Sequence, residues 1–172
     1  GFWFKLPDGT VKKRPMREEM VDMDALPFID RQLYNKYAFF SHSKYVRILT
    51  GRGCPFRCSF CSNPVLTDHY GGAKRYFRKR SPQSAVDEIK AVIERQPKPV
   101  GYVFFIDEVF WVKNDWLRDF LPLYKEQIGL PFFANFRFGS IEESDIKLLA
   151  DAGAAMMQVA VESGSEDQRK NM

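Results

Sequence analysis

The stretch YVRILTGRGCPFRCSFCSNP, residues 45–64, joins a β-branched apolar run to a loop that contains all three cysteines of the chain. Cys54, Cys58 and Cys61 have the spacing C-x3-C-x2-C, which lets one short loop present three thiolates to a small inorganic group from different sides. Three cysteines cannot pair among themselves into closed disulfides, and clustered thiols in a reducing compartment are typical of a metal site. The stretch therefore predicts a strand followed by a metal-binding loop.

Strands and helices are predicted to alternate after this point. The predicted strands are residues 45–50, 100–107, 131–138 and 155–163. Three helices are predicted. Ser81 caps the first and Pro82 opens it, and the second runs from Asn114 to Gly129 with Pro122 inside it. The third begins with a Ser140–Glu143 capping box, turns Ile146, Leu149 and Ala150 inward and ends at Gly153. This order predicts right-handed βαβ units and a parallel sheet.

The expected fold class is α/β, a partial (β/α) TIM-like barrel with parallel strands and outer helices, truncated to about four βα units. Residues 45–172 would form this domain. Residues 1–44 lack sustained periodicity, carry a turn signal in LPDGT that suggests a small hairpin, and are predicted to be a linker or docking arm. The chain begins with Gly and ends just after a predicted strand, so it is expected to be part of something longer.

Function in such folds gathers at the carboxyl ends of the strands. The polar residues expected there, besides the cysteine loop, are Asp107 and Glu108 after the second strand, Asn135 and Arg137 on the third, and Glu162 and Ser163 on the fourth. The candidate binding residues among them are Asp107, Glu108, Arg137 and Glu162.

Composition narrows the function classes. With 45% hydrophobic and 28% charged residues the chain is globular, and it has neither an apolar run long enough for a membrane span nor a secretory signal, so a cytoplasmic location is expected. The net charge of +4 is too small to indicate nucleic acid, which is not expected as a partner. The basic run KRYFRKR, residues 74–80, fits a solvated face or a docking surface for an acidic electron donor better than a nucleic-acid patch.

The cysteine spacing leaves two metal chemistries open. Structural zinc normally takes four ligands, so a zinc site would have to recruit His69, at a spacing unusual for a finger. Iron-sulfur clusters are held by thiolates, usually four per cubane, and three protein ligands would leave one iron open.

The loop CPFRCSFC, with an aromatic residue before its last cysteine and a strand before the loop, resembles the signature of radical S-adenosylmethionine (SAM) enzymes. The flanking segments MDALPFIDRQL, FRKRSPQSAVDEI, FFIDEVF, LLADAGA and VAVESGS occur in the order seen in the branch that carries an upstream cobalamin-binding domain, which includes anaerobic magnesium-protoporphyrin ester cyclases and many methyltransferases. The resemblance covers about residues 22–168.

This resemblance implies that Cys54, Cys58 and Cys61 each bind one iron of a [4Fe-4S] cluster and that the fourth iron chelates SAM. Reductive cleavage of SAM would release a 5'-deoxyadenosyl radical that abstracts hydrogen from the substrate, in the course of a cobalamin-dependent methyl transfer or cyclisation. Phe60, next to the last cysteine, would shield the cluster and the adenine.

The same resemblance implies roles for the polar residues. The family's Gly-Gly-Glu-like turn is replaced here by IDEV, so Asp107 is the first candidate for the SAM ammonium group and Glu108 the second. Glu162 matches the Glu of the family's ESGS and would bind the ribose or the methionyl part. Arg137 would meet the SAM carboxylate or the substrate.

The implied partners are a small-molecule substrate, an electron donor such as flavodoxin or ferredoxin, and an upstream domain that holds cobalamin in the full-length protein only. Two alternatives remain. One is a zinc- or cluster-stabilised binding module without catalysis, for RNA through residues 74–80. The other is a tRNA methylthiotransferase relative, which should have a second cysteine set that this chain lacks.

Overall fold

The computed structural model describes residues 2–15, 22–110 and 115–171. The strands are β1 (Trp3–Lys5), β2 (Val11–Lys13), β3 (Tyr45–Ile48), β4 (Gly51–Arg52), β5 (Arg78–Lys79), β6 (Tyr102–Phe105), β7 (Phe132–Phe136) and β8 (Ala154–Val159). The helices are α1 (Ala38–Ser41), α2 (Asn63–His69), α3 (Ala73–Tyr76), α4 (Pro82–Glu94), α5 (Trp116–Gln127), α6 (Glu143–Asp151) and α7 (Glu166–Lys170), with a 3-10 turn at Gln32–Tyr34. The predicted helix start at Asn114 lies outside the described residues.

The central sheet has the order β3-β6-β7-β8, and every neighbouring pair is parallel. Each strand lies beside the next one along the chain, which is the order of a (β/α) barrel, whereas a doubly wound sheet reverses its order at a switch point. The expected fold class, a partial barrel of four βα units, is confirmed.

The hydrophobic core lies between this sheet and helices α4 and α5. Alternate strand residues face it, among them Ile48, Val103 and Phe105, which are fully buried. Ser81 caps α4 by accepting a hydrogen bond from the Ser84 amide, and Pro82 opens the helix as predicted. The apolar face of α4 thus lies against β3, and the cysteine loop joins these two packed elements.

Helix α6 differs from its prediction. The capping box is formed by Glu142 and Asp145, two residues after the predicted Ser140 and Glu143, because Ser140 instead donates its hydroxyl to the Arg137 carbonyl at 2.6 Å. With the start shifted, Leu149 and Asp145 face inward, while Ile146 and Ala150, which were predicted to be inside, are exposed.

The basic run at residues 74–80 also differs from its prediction. The side chains of its last two residues are buried: Lys79 bonds to Thr50, and Arg80 makes an ion pair with Glu88 of α4 at 3.0 Å. Arg80 also donates to the Met23 carbonyl at 2.6 Å, which fastens the segment before β3 to the core. The run is therefore partly an internal anchor, neither a wholly solvated face nor a continuous basic patch.

Residues 2–14 form an exposed antiparallel hairpin of β1 and β2, as the LPDGT turn predicts, with Gly9 at φ +85°. None of the helices in the described part of the chain is both long and apolar enough to cross a membrane.

Candidate functional site

The cysteine loop is closed at its base by a two-stranded ribbon. Strands β4 and β5 pair antiparallel, with Gly51 opposite Lys79 and Arg52 opposite Arg78. The segment between them, residues 53–77, leaves the carboxyl end of β3 and returns to the start of α4, and it contains the cysteines, α2 and α3. A Cβ on Gly51 would stand 2.6 Å from the Arg78 carbonyl oxygen, so the ribbon needs glycine there.

Tyr76 supports the cysteine loop from behind. Its ring is buried and stacks on Tyr70 with ring centroids 5.5 Å apart. Its hydroxyl donates to Asn63 Oδ1 at 2.8 Å, and the Asn63 backbone amide donates to Cys61 Sγ at 3.4 Å. No motif in the sequence indicates this role for Tyr76 or Asn63; the only signal is the position of Asn63, two residues after the last cysteine.

The loop opens into a cavity of about 640 Å³ at the carboxyl ends of the strands. The lining residues are Cys54, Phe56, Cys58, Phe60, Cys61, Asn63, Glu108, Val109, Arg137, Phe138, Ala160, Val161, Glu162 and Arg169. All three cysteines and four of the five other candidate residues thus lie around one space, to which the loop and the segments that directly follow β6, β7 and β8 each contribute.

The cavity carries both signs of charge. Glu108 and Glu162 bring carboxylates, and Arg137 and Arg169 bring guanidinium groups. The Arg137 guanidinium lies over the ring of Phe56, 4.5 Å from its centroid, which ties β7 to the cysteine loop. A ligand that itself carries an ammonium and a carboxylate group would find opposite charges for both.

Asp107, the first candidate for the SAM ammonium group, does not line this cavity. It is 3% exposed, and its carboxylate accepts hydrogen bonds from the Thr50 amide at 3.1 Å and the Thr50 hydroxyl at 2.9 Å. Lys79 Nζ lies 3.6 Å from the same carboxylate. Successive residues at the end of a strand point to opposite sides, so Asp107 joins β3 to β6 while Glu108 faces the cavity.

Glu162 has an unusual backbone. Its φ is +66°, and among the described residues it is the only non-glycine residue with positive φ. Side chains other than glycine rarely adopt this conformation, and it is found where surrounding structure enforces it, often at functional sites. No local pattern in the sequence indicates this strain.

The cysteines are free thiols and half-buried. Burial raises the pKa of Cys54 and the charges of Cys58, Glu108 and Cys61 raise it further, against a hydrogen bond from the Phe56 backbone that lowers it. Since thiolates rather than thiols bind metals, cation binding here must displace protons and should strengthen as pH rises.

The donor set fits a multi-iron cluster. Within the described residues, no three side chains of His, Cys, Asp or Glu converge closely enough to hold a single metal ion, and His69 does not join the cysteines in such a group. A cubane cluster does not require that convergence, because each thiolate binds a different iron.

The strand order and the cysteine loop define a partial (β/α) barrel with a thiolate-bearing loop after its first barrel strand. Residues 48–172 match the family model of the Radical SAM superfamily, and the chain belongs to this superfamily. The resemblance of the cysteine loop to this family is thereby confirmed.

Curated relatives agree with this assignment. The chain is 28% identical to cytidylyl-2-hydroxyethylphosphonate methyltransferase of Streptomyces wedmorensis, over 96% of the chain and 32% of that protein. It is also 28% identical to anaerobic magnesium-protoporphyrin IX monomethyl ester cyclase of Rubrivivax gelatinosus, over 96% of the chain and 29% of that protein. The chain therefore spans about a third of the length of these relatives.

The radical SAM methyltransferase TsrM of Kitasatospora setae, solved with cobalamin and a [4Fe-4S] cluster bound, superposes with a TM-score of 0.57 over 73% of this chain and 22% of that one. At 20% sequence identity this likeness concerns the fold alone.

Proposed function

We propose that this chain is the core of a radical SAM enzyme that holds a [4Fe-4S] cluster with Cys54, Cys58 and Cys61 and binds SAM in the cavity beside it. One observation carries the proposal: the three cysteines line the same cavity as the charged residues at the carboxyl ends of three parallel strands. When bound, the cluster would supply the electron that breaks a carbon-sulfur bond of SAM and yields a 5'-deoxyadenosyl radical.

Three charged residues of the chain would each bind a different part of SAM. Glu108, which replaces Asp107 as the first candidate, would accept hydrogen bonds from the ammonium group. Arg137, held by its contact with Phe56, would pair with the carboxylate. Glu162 would bind the ribose or the methionyl part.

Aromatic residues would keep this space dry. Phe56 and Phe60 line the cavity within the cysteine loop itself, and Phe138 lines it from the end of β7. Phe60 is 53% exposed and Phe138 63% exposed, so a ligand in this cavity would have apolar surface to cover. Exclusion of water would protect a radical from side reactions, and it would strengthen the ion pairs around it.

The relatives also support a proposal for the reaction class and the partners. A methyltransferase and a cyclase among them favour a small-molecule substrate and a cobalamin-dependent methyl transfer or cyclisation. Residues 1–44 would link this core to a cobalamin-binding domain in the full-length protein. The electron would come from a donor such as flavodoxin or ferredoxin, in the cytoplasm. Burial of Lys79 and Arg80 removes much of the support for an RNA-binding module, since both belong to the basic run.

The test is anaerobic reconstitution of the full-length protein with iron and sulfide. We expect about four irons per chain and, with dithionite and SAM, formation of 5'-deoxyadenosine. Cys58→Ala should lose the iron and the product. Ser59→Ala is the matched control, because Ser59 is an exposed neighbour in the same loop and should leave both unchanged.

One tightly held zinc per chain with no iron would overturn the proposal and favour the binding module. Iron without 5'-deoxyadenosine in the full-length protein would contradict the enzymatic part alone.

A further inference from the structure

Glu162 occupies the centre of a three-residue turn between β8 and α7. The Ser163 amide donates to the Val161 carbonyl at 2.8 Å, and Glu162 between them has φ +66°. A γ-turn with positive φ at its central residue is rare and strained. Such a conformation persists only where the surrounding structure enforces it, so contacts with neighbouring residues must stabilise this turn.

Helix α7 holds the turn through the residue that follows Glu162. Arg169 donates from Nη1 to the Ser163 carbonyl at 2.5 Å. The Ser163 hydroxyl donates to Gln168 Oε1 at 2.6 Å and accepts the Ser165 amide at 3.1 Å. Ser163, the residue that follows Glu162 in the turn, is thereby bonded at both its carbonyl and its side chain.

Arg169 is the charged member of this set, and it differs from its neighbour on the same helix. Lys170 pairs with Glu166 at 2.9 Å one turn earlier, and both side chains of that pair are exposed. Arg169 instead reaches from α7 across to the turn and lines the cavity. A hydrogen bond from a charged donor is stronger than one between neutral groups, which suits a bond that must oppose backbone strain.

We propose that Arg169 is a positioning residue that keeps Glu162 in its strained turn, with its carboxylate directed into the cavity. The inference rests on the proposed function, in which Glu162 binds SAM. Arg169 acts here through the Ser163 carbonyl, without touching SAM.

The first experiment measures SAM affinity by anaerobic calorimetry on the reconstituted full-length protein, with iron content determined in parallel. Arg169→Met should weaken SAM binding about fivefold at unchanged iron content, in line with the loss of one charge-assisted hydrogen bond. Arg169→Lys, which keeps one donor, should recover most of the affinity. Lys170→Met is the matched control and should bind SAM as the wild type does.

A double mutant separates positioning from direct contact. If Arg169 acts through Glu162, Arg169→Met should weaken binding less than twofold further when Glu162→Ala is already present. An undiminished fivefold effect in that background would overturn the inference in favour of direct contact with SAM. An Arg169→Met variant that binds like Lys170→Met, while Glu162→Ala binds weakly, would also overturn it.

The second experiment does not depend on SAM. Because φ at residue 162 is positive, Glu162→Gly should have a larger free energy of unfolding than Glu162→Ala. Adding Arg169→Met to both variants should release the turn and reduce this difference between them to less than half. If Arg169→Met leaves the stability difference between Glu162→Gly and Glu162→Ala unchanged, the role of Arg169 is contradicted even if SAM proves not to bind. Failure of the wild type to bind SAM, with the difference still shrinking, would instead reject the proposed function and leave the positioning role standing.

Discussion

Gly53 lies against Tyr76 so closely that a Cβ on Gly53 would stand 2.7 Å from the Tyr76 carbonyl oxygen and 2.9 Å from its ring. Gly53 also has φ +79° and directly precedes Cys54. The first cysteine is thus placed by two constraints at once, a left-handed backbone and a backbone approach that only glycine allows.

Gly53→Ala should therefore displace the start of the cysteine loop. We expect about 3 kcal/mol of destabilisation, from backbone strain and overpacking together, and less than half of the wild-type iron after reconstitution. Gly139→Ala is the control, since Gly139 has φ +75° but open space around its Cβ position. It should cost only about 1 kcal/mol and leave iron content unchanged. Equal iron loss in both variants would show that crowding by Tyr76 is not what positions Cys54.

Asp107 and Glu108 should separate stability from ligand binding. Asp107→Asn removes one partner of the buried ion pair with Lys79 and should cost about 3 kcal/mol in the free energy of unfolding. Glu108→Gln should keep the free energy of unfolding within about 0.5 kcal/mol of the wild-type value, because Glu108 is exposed. The same substitution should weaken SAM binding about tenfold. Denaturant titration and calorimetry check the two effects. Stronger loss of SAM affinity in a folded Asp107→Asn protein than in Glu108→Gln would restore Asp107 as the ligand.

Asp24 should make the docking of residues 22–31 sensitive to acid. Burial raises the pKa of Asp24, but hydrogen bonds from Ser81 and Ser84 and the charge of Arg80 together bring it below its ordinary value of 3.8. A carboxyl with a depressed folded-state pKa stabilises the fold fully above the unfolded value, and this contribution is lost as pH falls through the folded one.

The wild type should therefore exceed Asp24→Asn in stability at pH 6, and the difference should close as pH falls below 3.8. Denaturant midpoints measured between pH 2 and pH 6 would check this. Asp22→Asn is the control, because Asp22 bonds only to the nearby Asp24 amide in the described contacts. A difference that stays constant over this pH range would mean that the Asp24 carboxylate contributes nothing through its charge.

The turn at Glu162 should reverse the usual preference for alanine over glycine. Glu162→Gly should be about 1 kcal/mol more stable than Glu162→Ala, since only the glycine adopts φ +66° without strain. At Val161, whose φ is not positive, Val161→Gly should be less stable than Val161→Ala by about 0.5 to 1 kcal/mol. Thermal unfolding of the four variants would show both orders, and the same order at both positions would contradict the strained turn.

The sequence by itself determined the order of strands and helices, the barrel class and the position of the cysteine loop. Periodicity and capping signals are local, so Ser81 and Pro82 could be recognised as the start of α4 without knowledge of the rest. Local signals also misled where two caps competed, as in the shift of the α6 start from Ser140 to Glu142.

Only the tertiary structure decided which polar residues face the cavity. Asp107 and Glu108 are adjacent and chemically alike, and the choice between them depends on Thr50 and Lys79, which are distant in sequence and meet Asp107 only after β3, β5 and β6 have come together. The strained turn at Glu162 likewise depends on Arg169 in the following helix. Such contacts join residues that no local pattern relates, because they form when elements pack and not when each element folds.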